Sequence, residues 1–481
     1  MSTTIVRELS DEPRHGLVAT REQRAILLFL ERVIFGGLLG LLILIAVPYG
    51  TVEPWSEALF ECLVLLLAML WLIQGLFAVQ WLPRQMRLFY PMFALIGFAL
   101  FQSVTLWQTE VAGEKVWYSI SADAFETRRF VLKVGSLIVA GILLARYTTS
   151  RRRLSALVHL IIIVAAASAL FGIVRQSVQH GPGFLLPFLK PGSGYAQFTN
   201  RNHFAFLMEM AMGLVTGLMI VRSRRRERVP LYGAILLALW TALVLCNSRG
   251  GILSMIVQLI CGVLLLSITP RQIASSGTKS ERGVLKFLHS IAVRVALLVA
   301  LLIVVIVGVF WIGGDPLATS LENVSLEIHA TDQTGLYERT RRRDIWRATW
   351  LMFKAHPLAG AGFAGYWAEI PQYHEASGVL TPQQAHNDYL EILASGGAIG
   401  AVLLVWFGIT LVKQARKALQ SRDPFYNAVC LGTIIGIVGV SVHSIFDFGL
   451  HITINALIFV ALLAILSLEA INTKHLNTVG R

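Results

Sequence analysis

Twelve separate apolar runs, each near the ~20 residues that a helix needs to cross a bilayer, set the possibilities for this chain of 481 residues. They lie at about 27–47, 57–80, 88–107, 131–147, 154–174, 204–221, 230–247, 251–268, 291–312, 396–412, 425–443 and 452–470. Soluble folding is excluded by the same arithmetic: 14% of the residues are charged, where soluble chains carry about 25%. The four cysteines, Cys62, Cys246, Cys261 and Cys430, sit inside or at the edge of apolar runs. Their spacing suits neither a secreted disulfide framework nor a metal site. The expected fold is all-α: a polytopic membrane protein of about 12 transmembrane helices, with a long helix-containing loop between spans nine and ten.

Charge sets the orientation. The net charge of +13 reads as a topology signal rather than as nucleic-acid binding, because the basic residues alternate between connections. Numbered from a cytoplasmic tail at 1–26, the even connections hold Arg84 and Arg87, then Arg146 and Arg151–Arg153, then Arg222, Arg224–Arg226 and Arg228. Arg271, Lys279, Arg282 and Lys286 follow, and lastly Lys413, Arg416, Lys417 and Arg422. Short Lys/Arg-rich loops belong on the cytoplasmic side. The expected organisation is therefore spans one to nine within 27–312, an extracytoplasmic loop at 313–395 (periplasmic, on the resemblance given below), spans ten to twelve within 396–470, and a cytoplasmic tail at 471–481.

A transporter places ionisable groups near the middle of its spans. Here that region offers Glu61, His159 and Glu209, each equally suited to a buried hydrogen bond inside the bundle. The denser polar set lies at the outer helix ends and in the long loop, which points to chemistry at the extracytoplasmic surface. Thr199-Asn200-Arg201-Asn202-His203 precedes span six; its arginine either snorkels to headgroups or enters a polar cavity. Ser248-Arg249-Gly250-Gly251 joins spans seven and eight, either as a plain tight turn or as an anion site of backbone N–H groups and one arginine.

The loop carries the most informative cluster, Glu338 to Arg347. On a helix, Arg339, Arg342, Arg343, Trp346 and Trp350 fall within an arc of about 100°, and Arg341 projects opposite with Ile345 and Met352. Guanidinium forks suit phosphate, and tryptophans suit a sugar face or the membrane interface. The competing reading is a solvated basic helix, although three adjacent arginines are unusual on an outer face. Gly360-Ala-Gly362-Phe-Ala-Gly365 contains GxGxxG without the strand or βαβ unit of a dinucleotide fold; it reads as a close turn. Thr381 with Gln384 forms a capping box and Pro382 suits a first helical position, so a helix is expected to start there with His386 about one turn inside. A neutral imidazole at that place can accept a proton from a sugar hydroxyl. His443, Asp447 and His451 are spaced i, i+4, i+8, as a hydrogen-bonded polar stripe or, less in keeping with zinc chemistry, a metal site.

Taken in order, Thr199–Ala205, Ser248–Gly251, Arg342–Trp346 with His356 to Gly362, and Ala385–Gly400 resemble the O-antigen ligase / O-antigen polymerase superfamily. These pieces cover roughly residues 195–400. The resemblance implies a membrane glycosyltransferase that takes a glycan from undecaprenyl diphosphate and passes it to lipid A core or to another glycan. It implies no metal and no cofactor, and partners limited to the lipid-linked donor, the acceptor and the bilayer. By position His386 resembles the loop histidine that activates the acceptor hydroxyl, and Arg342 the arginine on the donor diphosphate. Arg343 fits the same role if the register shifts by one. Arg201 resembles a second diphosphate arginine, with Arg249 beside it, and Arg339, His203, Trp346 and Asn387 are supporting positions. Inverting substitution at the anomeric carbon follows from this scheme. The alternative class is a non-enzymatic transporter or flippase of lipid-linked oligosaccharides.

Overall fold

Helix starts in this chain are written by short polar caps in front of apolar stretches. The computed structural model describes residues 21–76, 82–83, 85–111, 114–192, 194–221, 229–268, 342–374, 381–421 and 423–468, with scattered positions between 292 and 307. In chain order the long helices are α1 (Arg21–Leu44), α2 (Pro54–Gly75), α3 (Tyr90–Gln102), α4 (Ala124–Tyr147), α5 (Arg151–Val178) and α6 (Arg201–Val221). They continue with α7 (Val229–Leu245), α8 (Arg249–Ile268), α9 (Arg342–Ala355), α10 (Asp388–Leu419), α11 (Pro424–His443) and α12 (Thr453–Leu466). Asp123 Oδ1 caps α4 by accepting from the N–H groups of Phe125 and Glu126, and Asp423 does the same for α11. Pro54 and Pro424 occupy first-turn positions where no donor is lost.

Among the described residues seven helices are long and apolar enough to cross a membrane, and four shorter apolar helices accompany them. Helices α6 and α11 are the inner pair. They approach closely because Gly213 and Gly217 on α6 face Gly432 and Gly436 on α11; a Cβ on Gly217 would lie 2.3 Å from the Ala428 carbonyl oxygen. Small residues four apart permit such contact where lipid removes the usual hydrophobic drive between helices. Helix α12 is buried along nearly its whole length against them. By contrast α2 and α10 leave Leu65, Leu66, Met69, Leu72, Val402 and Val405 exposed, an outward apolar surface that suits lipid.

Several expectations need correction. The fold is not purely helical: β1 (Thr105–Val111) and β2 (Glu114–Ser119) pair antiparallel, with Gln108 opposite Trp117 and Glu110 opposite Lys115. Strand-favouring Thr, Val, Trp and Tyr dominate this stretch, so α3 stops at Gln102 rather than running to 107. Helix α10 starts at Asp388, not near Pro382, and residues 381–387 form a loop. It bends at Gly397, whose φ of 59° departs from the helix and whose missing Cβ admits the Leu358 backbone. Helix α1 takes in residues 21–26 of the expected N-terminal tail; residues 1–20, the expected C-terminal tail, most of the ninth apolar run, Arg339, Arg341, the first part of the long loop, and the basic stretches 222–228 and 271–286 lie outside the described residues.

The two ends of the bundle differ in chemistry. At one end Arg153 pairs with Glu31 at 2.5 Å, Tyr147 bonds Gln74, and the Tyr426 hydroxyl donates to the Leu468 carbonyl at 2.6 Å. At the other, Lys133 of α4 pairs with Glu57 of α2 and donates to the His451 carbonyl at 2.8 Å. Gln102 at the end of α3 donates to the carbonyls of Ala359 and Ser395 at 2.6 and 2.9 Å, tying the long loop to this second end. Ala361 and Gly362 of the GxGxxG stretch donate to Ala394 and Ser395, so those glycines serve a close turn, as their sequence context suggests.

Candidate active site

Asp447 is the point on which four distant segments converge. Helix α11 ends at His443, and residues 444–448 turn back across the second end of the bundle. The Asp447 carboxylate is fully buried there. Its Oδ1 accepts from the Phe448 N–H at 2.9 Å and from His386 Nδ1 at 3.3 Å. Its Oδ2 accepts from the Asn202 amide and lies 3.6 Å from Arg342 Nη2. Burial by itself raises the pKa of this carboxyl; the His386 hydrogen bond and the charges of His386, Arg342 and His203 outweigh that and hold it well below the usual carboxylate range. Asp447 is an anion that organises an imidazole and a guanidinium.

His386 and Asn202 are delivered by capped helix starts. His386 has φ of 50°, a left-handed conformation that a non-glycine residue keeps only when its surroundings enforce it. Three bonds enforce it here. Asn387 Oδ1 caps α10 by accepting from Leu390 N–H at 3.0 Å, the Glu391 carboxylate accepts from Ala385 N–H at 2.8 Å, and Asp388 N–H donates to the Ser444 carbonyl at 2.9 Å. Asn387 is therefore a cap. Asn200 Oδ1 caps α6 through Asn202 N–H at 2.8 Å, and Ser248 Oγ caps α8 through Gly251 N–H at 3.1 Å. The positive ends of α6, α8 and α10 thus gather around one spot.

Packing separates Arg342 from Arg343. Ile345, Ala348, Thr349 and Met352 form the buried face of α9. Arg342 and Trp346 flank that face: Arg342 reaches Asp447, and Trp346 packs with Leu253 and Phe446. Arg343 and Trp350 point away and are exposed, so the single arc drawn from the sequence divides into an inward and an outward half. Arg201 is the first residue of α6, half-buried, and Arg249 the first of α8, exposed. His203 is buried, with its ring edge-on to Phe448 at 4.8 Å. The rings of His386 and His451 also meet Phe448 edge-on, at 4.9 and 5.8 Å.

The i, i+4, i+8 set does not form a stripe, because the helix ends at its first member. His443 Nδ1 turns inward to Glu209 at 2.6 Å, and His451 Nε2 faces Asp388 and Glu391 at 3.5 and 3.7 Å. No group of three or more His, Cys, Asp or Glu among the described residues is placed to hold a metal ion. His159 bonds the Ser155 carbonyl and Tyr232, so two of the three mid-span candidates are partnered within the bundle. Asp447 was visible in the sequence only as part of that stripe, and Asn202 only as a neighbour of Arg201. The signal for both is three-dimensional.

Residues 233–405 match the O-antigen ligase family. The match contains Ser248, Arg342 and His386, begins after Asn202 and ends before Asp447. It supports the O-antigen ligase / polymerase superfamily that the motifs resemble, and that family implies an O-antigen ligase-type membrane glycosyltransferase. No curated protein matches the chain.

Proposed function

We propose, from the premise of the O-antigen ligase family, that this membrane protein transfers a glycan from undecaprenyl diphosphate to a sugar hydroxyl at the periplasmic face of the inner membrane. The acceptor is lipid A core in a ligase and another glycan in a polymerase. One observation carries the reading: Asp447 holds His386 on one carboxylate oxygen and Arg342 on the other. A candidate base and a candidate anion-binding group are thereby fixed side by side.

Chemistry follows from that arrangement. With Nδ1–H donated to Asp447, His386 Nε2 is the free basic nitrogen. It takes the proton of the acceptor hydroxyl as that oxygen attacks the anomeric carbon. The bond from the anomeric carbon to the diphosphate oxygen breaks, its electron pair leaves with the diphosphate, and the new glycosidic C–O bond has the inverted configuration. Charge grows on the diphosphate oxygen during the step. Arg342, Arg201, Arg249 and the N-termini of α6, α8 and α10 stabilise it there, with Arg343 at the solvent side. Asp447 keeps the imidazole oriented and stabilises the imidazolium that forms, as a buried carboxylate does for a catalytic histidine elsewhere.

Purified protein incubated with a polyprenyl-diphosphate oligosaccharide and candidate acceptors tests this. Longer glycans identify a polymerase, and glycan on lipid A core a ligase. His386→Ala is expected to lower transfer by about 10²- to 10⁴-fold while donor still binds. Wild-type transfer by that variant, or retained anomeric configuration in the product, would overturn the mechanism; lipid-linked glycan crossing the bilayer without any transfer product would make the protein a transporter.

A further inference from the structure

Asn202 and Ser248 lie behind the reacting groups, and their hydrogen bonds leave no freedom of direction. Asp447 is an anion and only accepts, so the Asn202 atom facing Oδ2 must be the amide NH₂. The Asn202 carbonyl then faces Ser248, whose hydroxyl must donate to it, at 2.8 Å. That hydroxyl oxygen accepts the Gly251 N–H at the first turn of α8. The polarity runs one way from the α8 terminus through Ser248 and Asn202 to Asp447, and from the other side His386 Nδ1–H meets the same carboxylate.

Geometry adds a second constraint. Asn202 and Arg342 share Oδ2, while His386 and the Phe448 N–H share Oδ1. Without the amide, the carboxylate is free to rotate toward a two-pronged pair with Arg342, which would turn it away from the imidazole. Ser248 is fully buried, so no solvent replaces its bond.

We infer that Asn202 and Ser248 are positioning residues: together they lock the plane of the Asp447 carboxylate, so that His386 presents Nε2 to the acceptor hydroxyl and Arg342 keeps its place beside Oδ2. The inference rests on the transferase reading above and assigns roles that no motif in the sequence specifies. Both side chains act through Asp447.

Transfer assays on the full-length protein in detergent decide it, with His386→Ala alongside. Asn202→Ala is expected to lower kcat on the order of 10- to 100-fold, with the acceptor KM unchanged. Asn202→Asp is the diagnostic variant. Protonated, its new carboxyl donates to Asp447 and restores the lock; ionised, it repels Asp447. Its kcat should therefore recover as pH falls, with the alkaline limb of the profile shifted to lower pH than in the wild-type protein. A packing role alone predicts a loss that does not depend on pH, and that result would overturn the inference. Ser248→Ala supplies an independent measure should the Asn202 variants fold poorly: kcat about fivefold or more below wild type supports the lock, and wild-type kcat refutes it. If His386→Ala transfers normally the transferase reading itself fails; if His386→Ala is inactive while Asn202→Asp and Ser248→Ala match the wild type, the inference alone fails.

Discussion

At the scale of single residues, Asp447 and His451 respond to pH in opposite directions. The Asp447 carboxyl has a depressed pKa in the folded protein. The stability it lends is present above the ordinary carboxylate value and is lost only as pH falls through its own lower value. It thus stays ionised through the neutral and mildly acid range, and Asp447→Asn is expected to lower kcat on the order of 100-fold or more at every pH there, read in the glycan-transfer assay. His451 is the reverse case. Burial lowers its pKa, but Glu391 and Asp388 outweigh burial and the opposing charge of Lys133, and the net shift is upward. Its contribution is complete below the ordinary imidazole value and is lost as pH rises through the raised one. A thermal melt of the wild-type protein should therefore lose Tm as pH rises from the ordinary imidazole value through the raised one. His451→Gln should melt with less dependence on pH there; an unchanged slope would refute the pairing.

Among the elements, the start of α10 shows why part of the site was legible and part was not. The sequence contains a capping box at Thr381 and Gln384, yet the helix begins behind Asn387, which lacks a Glu or Gln three residues on. Local pattern lost to tertiary contact: Ala385 is buried against the α9 layer, and Asp388 N–H is committed to the turn after α11. This places His386 before the helix in a left-handed conformation, facing Asp447, rather than one turn inside. His386 and Arg342 stand out in the sequence because imidazole and guanidinium carry their chemistry in their identity. Asp447, Asn202 and Ser248 were not, since an aspartate after a membrane helix, an amide and a hydroxyl have many uses until their partners are known. The two caps make a direct comparison. Asn387→Ala should cost about 1 kcal/mol, seen as a lower Tm, along with reduced transfer. Thr381→Ala, at an exposed position outside the helix, should lower Tm by less than Asn387→Ala does. Equal effects of the two variants would mean that α10 starts where the sequence pattern, not the structure, puts it.

At the scale of the whole molecule, the Asp447 cluster and the basic tract at 151–153 lie at opposite ends of the bundle. The Asp447 cluster, the β1–β2 hairpin and the cap of α4 lie at one end, and Arg151, Arg152 and Arg153 with the Glu31 pair at the other. If short basic connections mark the cytoplasm, the reacting groups face outward, where a polyprenyl-diphosphate glycan and its acceptor meet. Accessibility of introduced cysteines measures that orientation directly. Trp117 on the hairpin and Arg152 at the start of α5 are both exposed, and of the natural cysteines only Cys62 is. In a Cys62→Ser background, Trp117→Cys should react with a membrane-impermeant maleimide on right-side-out spheroplasts, and Arg152→Cys only after permeabilisation. The reverse pattern would put the Asp447 cluster on the cytoplasmic side and remove the donor from its reach, whatever the local geometry around His386.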